Sequence, residues 1–418
     1  MSNPLNFDPN LLAQVGQQNN QQRGLREVPV GKPPAAKPSE KGAAPPQGGA
    51  QSESKPGDAL DTFQTSVTPL IDGEQIFPKA REMIRGAKDN IALSMYEFGN
   101  AKIEDKKNVP GVTNAQQFQD HEALVDELVA ARKRGVDVQV ILDASRQKDG
   151  SVHNTPVADY LKQNGVEVLR YPKDKASIDH IKLLVVDDRK AMIGGMNWGV
   201  HSPVNHDGNV LIEGREAAEL KHDIFDTSAR FSGGTPKQTD LNPNREDKIQ
   251  VLNNRPVEEE GGSSIKNAVV DNINSAKKSV HAELFSLTHK DVIQSLKDAH
   301  NRGVDVKVML DPNLYLINRK AFYDLKDAGV PVKWYKVNLP EQEKLHAKWA
   351  TIDGEKSIVG SANWSHKGLD AGKPGDRTNR EADVIVNDKG ATSIFDRTFK
   401  NDWDNNSSVK VPEHMSFG

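Results

Sequence analysis

From about residue 61 to residue 405 the chain is one unit written twice, and a duplication restricts the possible folds more than any single segment does. AKDNIALSMYEF (87–98) matches AKKSVHAELFSL (276–287), each a loop leading into an apolar, strand-like run. ALVDELVAARKRGVDVQVILD (123–143) matches DVIQSLKDAHNRGVDVKVMLD (291–311), with ten identities in 21 positions. In both, apolar residues at helical spacing (Leu124, Val125, Leu128, Ala131; Val292, Ile293, Leu296, Ala299) lead to a glycine that stops a helix, then to a β-branched strand. The pattern predicts a strand, helix, strand unit in each half. IFD recurs at 224–226 and 394–396, in expected closing helices. The expected organisation is a first half over 61–232, a polar linker over 233–248, a second half over 249–405 and a short tail over 406–418.

The repeat offset falls from 189 to 168 between the first strand and the first helix, so the first half carries about 21 extra residues from Gly99 onward. Loops after strand C-termini are where α/β sheets build their sites, which makes this insert a candidate lid; a plain surface excursion fits equally. Residues 1–60 hold nine of the 23 prolines, a Gln/Asn run and a single aromatic, Phe7. Such a segment cannot bury enough surface to order itself, so a disordered tail is expected. It also explains a mean hydropathy of -0.66 and 36% hydrophobic residues in a chain with two folded halves.

Net charge is -4, and the first 58 residues hold 6 Lys+Arg against 5 Asp+Glu, leaving the remainder at -5. A protein that grips nucleic acid through its phosphates usually shows a basic excess, so no stable nucleic-acid partner is expected. Cysteine is absent, which excludes disulfides, thiolate zinc sites and a cysteine nucleophile. No apolar run approaches the ~18 residues of a membrane-spanning helix, and the start lacks a basic region followed by an apolar one. The expectation is a soluble chain without a Sec signal, cytoplasmic or exported by another route.

The chemistry is concentrated in HIKLLVVDDRKAMIGGMNW and HAKWATIDGEKSIVGSANW. His180, Lys182, Asp187, Gly194, Gly195, Asn197 and Trp198 correspond, spacing for spacing, to His346, Lys348, Asp353, Gly360, Ser361, Asn363 and Trp364. Alternate residues of a strand share a face, so each His and Lys project together about 6 to 7 Å apart while Ile181 faces the core. An imidazole beside a fixed ammonium suits a phosphate: the Lys neutralises its oxygens and depresses the His pKa toward the nucleophilic form. Asn197 and Asn363 can donate amide hydrogen bonds to the same oxygens. Asp187 and Asp353 lie between two apolar runs, where aspartate is also favoured by hairpin turns. Trp198 and Trp364 read first as core anchors.

NHDGNVLI (205–212) aligns with NREADVIV (379–386), placing Asp207 opposite Glu381. Each carboxylate trails the His of its own half, by 27 and 35 residues. A reacting imidazole needs an acceptor on its other nitrogen to set the tautomer and stabilise the imidazolium, and these two carboxylates are the candidates.

The paired HxKx4Dx6G(G/S)xN pattern resembles that of the phospholipase D superfamily, and the duplicated unit covers nearly all of 61–405. The resemblance implies duplicated α/β/α sandwich halves with mixed central sheets, related by a pseudo-twofold axis, a monomer with one shared site. It implies a catalytic set of His180, Lys182, Asp187, His346, Lys348 and Asp353, with no metal and no other cofactor. It implies a two-step displacement in which His180 attacks phosphorus and His346 protonates the leaving alcohol, then activates water or an acceptor alcohol. The Gly194-Gly195 and Gly360-Ser361 pairs resemble those of phospholipases D that perform transphosphatidylation. The implied partner is then a phospholipid at a membrane or micelle surface, with phosphatidylcholine hydrolysed to phosphatidic acid. A nuclease of the same superfamily and a soluble phosphatidylserine or cardiolipin synthase are the alternatives.

Overall fold

Each half is built on a mixed sheet whose strands follow the same spatial order. The computed structural model describes residues 65–104, 116–145, 150–171, 178–237, 239, 241, 248–259, 261–372, 376 and 378–410. The expected N-terminal tail, the tip of the Gly99 insert (105–115), most of the linker from 238 to 247 and the last eight residues lie outside these. In the first half, β1 (Ser66–Ile71), β2 (Asn90–Met95), β3 (Asp137–Asp143), β4 (Glu167–Tyr171), β5 (Lys182–Val186), β6 (Lys190–Gly194) and β7 (Gly208–Glu213) lie in the order β1-β7-β6-β5-β2-β3-β4. The second half contains β8 (Ile249–Arg255), β9 (Gly262–Ser263), β10 (Ser279–Leu284), β11 (Asp305–Leu310), β12 (Val332–Tyr335), β13 (Lys348–Ile352), β14 (Lys356–Gly360), β15 (Glu381–Val386) and β16 (Ser407–Ser408). Their order is β16-β12-β11-β10-β13-β14-β15-β8-β9, the first arrangement read backwards with a two-residue strand added at each edge. Ser407 and Ser408, in the expected C-terminal tail, thus pair with β12.

The repeated strand, helix, strand signal becomes the parallel part of each sheet, β2-β3-β4 and β10-β11-β12, while β5 to β7 and β13 to β15 run antiparallel. Gly135 and Gly303 take φ of 92° and 86°, the left-handed turn that ends each crossover helix before its strand. The helix Gln116–Lys133 is longer than its counterpart Lys290–Asn301, so the end of the insert adds turns to a helix instead of forming a loop.

All five residues of β5 and of β13 are buried, as strands covered on both faces must be. Leu184 and Val186 pack into the first half's own core, Ala350 and Ile352 into the second's. Ile181, Leu183 and Val185 meet Ala347, Trp349 and Val359 in a third core shared by both halves. The IFD helices supply Ile224, Phe225, Phe395 and Phe399 to that shared core, each fully buried side chain contributing roughly 1.5–3 kcal/mol. Trp198 and Trp364 are buried in the cores of their own halves, as expected.

Asp187 and Asp353, expected within the catalytic set, stand elsewhere. Each sits in the turn at the far end of its strand, more than roughly 13 Å along β5 or β13 from the Lys. Both adopt positive φ, 53° and 57°. The Asp187 carboxylate accepts the backbone N–H groups of Lys88, Asp89 and Asn90, and Asp353 those of Lys277, Lys278 and Ser279. They tie the entry of β2 and β10 to the hairpin. Burial pushes the Asp353 carboxyl up, but its backbone donors outweigh that and hold it below the ordinary range. Asp353→Ala should therefore lower stability by about 2 kcal/mol at neutral pH. Because the folded pKa is depressed, the difference from wild type should be full above the ordinary aspartate value of about 3.9 and vanish as pH falls through the lowered one. Denaturant unfolding across pH checks this, and turnover per folded molecule should stay close to wild type.

Candidate active site

The strands that carry the histidines are aligned by main chain from the opposite half. Asp179 and Arg380 form one parallel bridge, His206 and Leu345 another. The His180 N–H donates to the Arg380 carbonyl at 2.9 Å, and the Arg380 N–H to that of Ile178 at 2.9 Å. In the symmetric position the His346 N–H donates to the His206 carbonyl at 2.8 Å, and the His206 N–H to that of Lys344 at 2.9 Å. Each histidine strand is thereby laid beside the segment bearing the other half's carboxylate.

The carboxylates therefore cross. His180 Nδ1 lies 2.9 Å from Glu381 Oε2, and His346 Nδ1 lies 2.7 Å from Asp207 Oδ2. The sequence spacing pairs each carboxylate with the His of its own half, and the structure corrects this, because the bridges bring the start of β15 to His180 and the start of β7 to His346. With Nδ1 engaged, Nε2 of each ring is the nitrogen that faces chemistry.

The two arms differ in detail. Glu381 also accepts from Ser361 Oγ at 2.6 Å and Asn379 Nδ2 at 3.0 Å, whereas Asp207 accepts the Gly208 N–H at 2.9 Å. Gly195, the counterpart of Ser361, leaves no room for a side chain: a Cβ there would lie 2.2 Å from Asp207 Oδ1. Gly194 and Gly360 likewise leave room for Asn209 and Asp383, whose Oδ1 atoms would lie 2.3 and 2.0 Å from an added Cβ. The short carboxylate is thus paired with glycine and the longer one with serine.

Lys182 Nζ donates to the His180 carbonyl at 2.5 Å and lies 5.1 Å from the centre of the Tyr96 ring. Lys348 Nζ donates to the His346 carbonyl and lies 5.3 Å from the Phe285 ring. Those rings also pack on the imidazoles, with centroids 4.8 Å apart in both halves. His180, Lys182, His346 and Lys348 are all buried. Burial brings Lys182 down to about 7 and Lys348 to about 8. Burial and both ammonium groups lower His180, against the pull of Glu381, and lower His346 well below its usual value. Burial lifts Asp207 to about 7 against Lys348. Two lysine amines thus face two carboxyl groups around imidazoles pushed toward their neutral form.

Several positioning residues escaped the sequence reasoning, two of them, Asp143 and Asp311, at the ends of the matched segments 123–143 and 291–311. Asp143 accepts the N–H of Asp179 at 2.9 Å, and Asp311 that of Leu345 at 2.8 Å, so each holds the residue preceding a histidine. Asn154 Nδ2 donates to the carbonyls of Tyr96 and Asp143, as Asn318 Nδ2 does to those of Phe285 and Asp311. The invariance of Asp143 and Asp311 between the halves was the available signal, whereas Asn154 and Asn318 follow them at unequal spacings, 11 and 7 residues, which hid their equivalence. Asn197 Nδ2 reaches Glu97 Oε2 at 3.3 Å, and the buried Oδ1 atoms of Asn197 and Asn363 have no protein hydrogen-bond partner among the described residues. Among the described residues, one trio, His206, Glu283 and Asp402, brings ligand atoms within 4.8 Å of one another as a metal would require. Hydrogen bonding of both imidazole nitrogens, at 2.8 Å to Asp72 and 2.9 Å to Glu283, accounts for that arrangement with a proton in the ion's place.

Two like sheets that meet at a pair of HxK strands define a duplicated enzyme of the phospholipase D superfamily. More narrowly, residues 80–228 and 269–403 match the family model described as cardiolipin synthase, PLD-like domain, and the chain belongs to that family. It is 23% identical over 386 residues to cardiolipin synthase 2 of Bacillus anthracis, covering 84% of this chain and 67% of that one. It is 24% identical over 376 residues to a cardiolipin synthase of Clostridium perfringens strain 13, covering 82% and 71%. The crystal structure of phosphatidylserine synthase from Haemophilus influenzae Rd KW20 shares the fold, with a TM-score of 0.62 at 12% identity over 86% of this chain and 92% of that one. No helix among the described residues is long and apolar enough to cross a membrane.

The crossed carboxylates give an ordered pair of outcomes. Gly195→Ala must displace Asp207 and should lower turnover by roughly tenfold or more, the scale of a compromised proton-transfer group. Ser361→Ala removes one of three donors to Glu381 and should cost about two- to tenfold. Steady-state rates of the two variants, matched for folded fraction, check the order.

Proposed function

We propose that this chain is a phosphatidyltransferase that joins a phosphatidyl group to the hydroxyl of a second lipid, with cardiolipin as product. The observation that carries the reading is the pair of buried imidazoles, each with Nδ1 on a carboxylate and an ammonium beside it. The similarity to cardiolipin synthases favours this reading over phosphatidylcholine hydrolysis. In the first step neutral His180 attacks phosphorus through Nε2, and the P–O bond to the headgroup breaks. His346, which takes up a proton from solvent once the anionic diester is bound, gives it to that oxygen and is left neutral, and Asp207 stabilises the imidazolium before the transfer. The anionic diester, seated between Lys182 and Lys348, removes the repulsion that otherwise keeps His346 neutral. In the second step His346 takes the proton of an acceptor hydroxyl, whose oxygen attacks phosphorus and releases His180. Which of the two histidines is the nucleophile follows the family resemblance.

A lipid substrate suits the surface as well. Of the large apolar side chains exposed among the described residues, Leu316, Ile317 and Tyr323 lie on one helix, Tyr315–Asp327, beside Arg319 and Lys320. That helix follows, in the chain, Asp311, the residue that holds the His346 strand. Such a mixture matches an anionic lipid surface.

Phosphatidylglycerol vesicles should yield cardiolipin and free glycerol in equal amounts, and product should persist in EDTA because Lys182 and Lys348 supply the charge neutralisation. His180→Asn and His346→Asn should each reduce turnover by several orders of magnitude, and a denaturing quench should leave labelled phosphatidyl group on His180. Phosphatidic acid as the dominant product would convert the reading to hydrolysis. Cleavage of DNA with lipids left intact would convert it to a nuclease.

A further inference from the structure

The residue before each histidine-holding carboxylate is a buried cation or its equivalent, and the two halves differ there. Before Glu381 stands Arg380, permanently charged, 3.2 Å from Glu259 and hydrogen-bonded to Ser228, Thr227 and the Ile224 carbonyl. Before Asp207 stands His206. Its Nδ1 lies 2.8 Å from Asp72 at the start of the helix Asp72–Gly86, and its Nε2 lies 2.9 Å from Glu283 at the end of β10 and 3.3 Å from Asp402 in the helix Lys389–Asn405. The Tyr335 ring, from the end of β12, stacks on it at 5.2 Å and 8°, with Glu343 accepting from the Tyr335 hydroxyl. Lys344 faces it through its backbone carbonyl. A neutral imidazole has one N–H, so two ionised carboxylates, one on each nitrogen, call for the imidazolium; Glu283, which burial lifts to about 7 against the pull of His206, is ionised when the ring carries that proton. Asp72 also accepts the Asp207 N–H at 3.1 Å and donates its own N–H to the Asp207 carbonyl at 2.9 Å. The ring, Asp72 and the Asp207 backbone are therefore one connected loop.

We propose that His206 is a positioning residue held as an imidazolium, whose charge and carboxylate contacts keep Asp207 ionised and aligned on Nδ1 of His346. One of two otherwise symmetric histidine–carboxylate arms is then set by a proton, and the other by a fixed guanidinium. Burial alone would lower His206, but the carboxylates of Asp72, Asp402 and Glu283 and the Tyr335 hydroxyl raise it well above the ordinary imidazole range. Its contribution is full below the ordinary histidine value and is lost as pH rises through the raised one. Asp207 stands near neutrality, so a modest change in the nearby field decides its charge.

The role in turnover rests on the phosphatidyltransferase reading; the electrostatic role does not, and one experiment separates them. Strongly hydrogen-bonded Nδ1 protons give resolved downfield NMR signals, assigned here with His346→Asn and His180→Asn. In His206→Gln the His346 signal should be lost or shifted while the His180 signal stays. At pH 7 kcat should fall about tenfold, with KM nearly unchanged and the acidic limb of the rate profile moved to higher pH, because Asp207 then protonates more readily. His206→Arg should recover part of the rate. If the Gln variant does not fold, the wild-type His206 ring should be an imidazolium at pH 7, and on acidification the His346 signal should weaken before that of His180 as Asp207 takes up a proton. A His206 ring that is neutral at pH 7, or a His346 signal indifferent to both substitution and pH, overturns the proposal. A wild type that makes no lipid product yet shows the asymmetric signals sinks the functional reading and leaves this inference standing.

Discussion

Everything at the candidate site depends on two short parallel bridges of main chain, Asp179 with Arg380 and His206 with Leu345. Through them a carboxylate at the start of one half's strand reaches an imidazole at the start of the other's. Neither half alone supplies both members of His180–Glu381 or of His346–Asp207. A hydrogen-bonded backbone contact is a stiff way to set this geometry, since it fixes the origin of each side chain before any rotamer is chosen.

On this symmetric frame the chemistry is asymmetric. Aspartate with glycine and glutamate with serine are two solutions to the same distance, and histidine and arginine are two ways to put positive charge behind them. On the proposed mechanism the two imidazoles need different proton affinities at each stage, and unequal surroundings are how a duplicated frame would provide that. Two lysines set against two carboxyl groups keep the site near electroneutrality, which limits the cost of burying them.

Most of the fold was legible because the duplication doubles every signal: a glycine after a helix is weak evidence once and strong evidence twice in register. His180, Lys182, His346 and Lys348 were legible for the same reason, through period-two spacing on a strand. Asp207 and Glu381 were identifiable as types and positions but not as partners, because crossing is a property of how the halves dock, which spacing within a half does not carry. Asp187 and Asp353 show the converse: their strict repetition marks a structural requirement, a turn at positive φ gathering three N–H groups, and repetition alone does not distinguish that from chemistry. The alignment of 205–212 with 379–386 sets His206 opposite Arg380, but with different residue types it gave no sign that both stand behind a histidine-holding carboxylate.

The core shared between the sheets has a consequence for the chain as a molecule. If the backbone were severed between the halves, each piece would bear an uncovered face of β-branched and aromatic residues, such as Ile181 and Val185 on one side and Trp349 and Val359 on the other. Covering those faces would become a bimolecular event, so the yield of intact sites would depend on concentration and compete with self-association of like faces. Tethering replaces that dilution problem with a fixed local concentration, the thermodynamic difference between a covalent duplicate and a pair of free subunits.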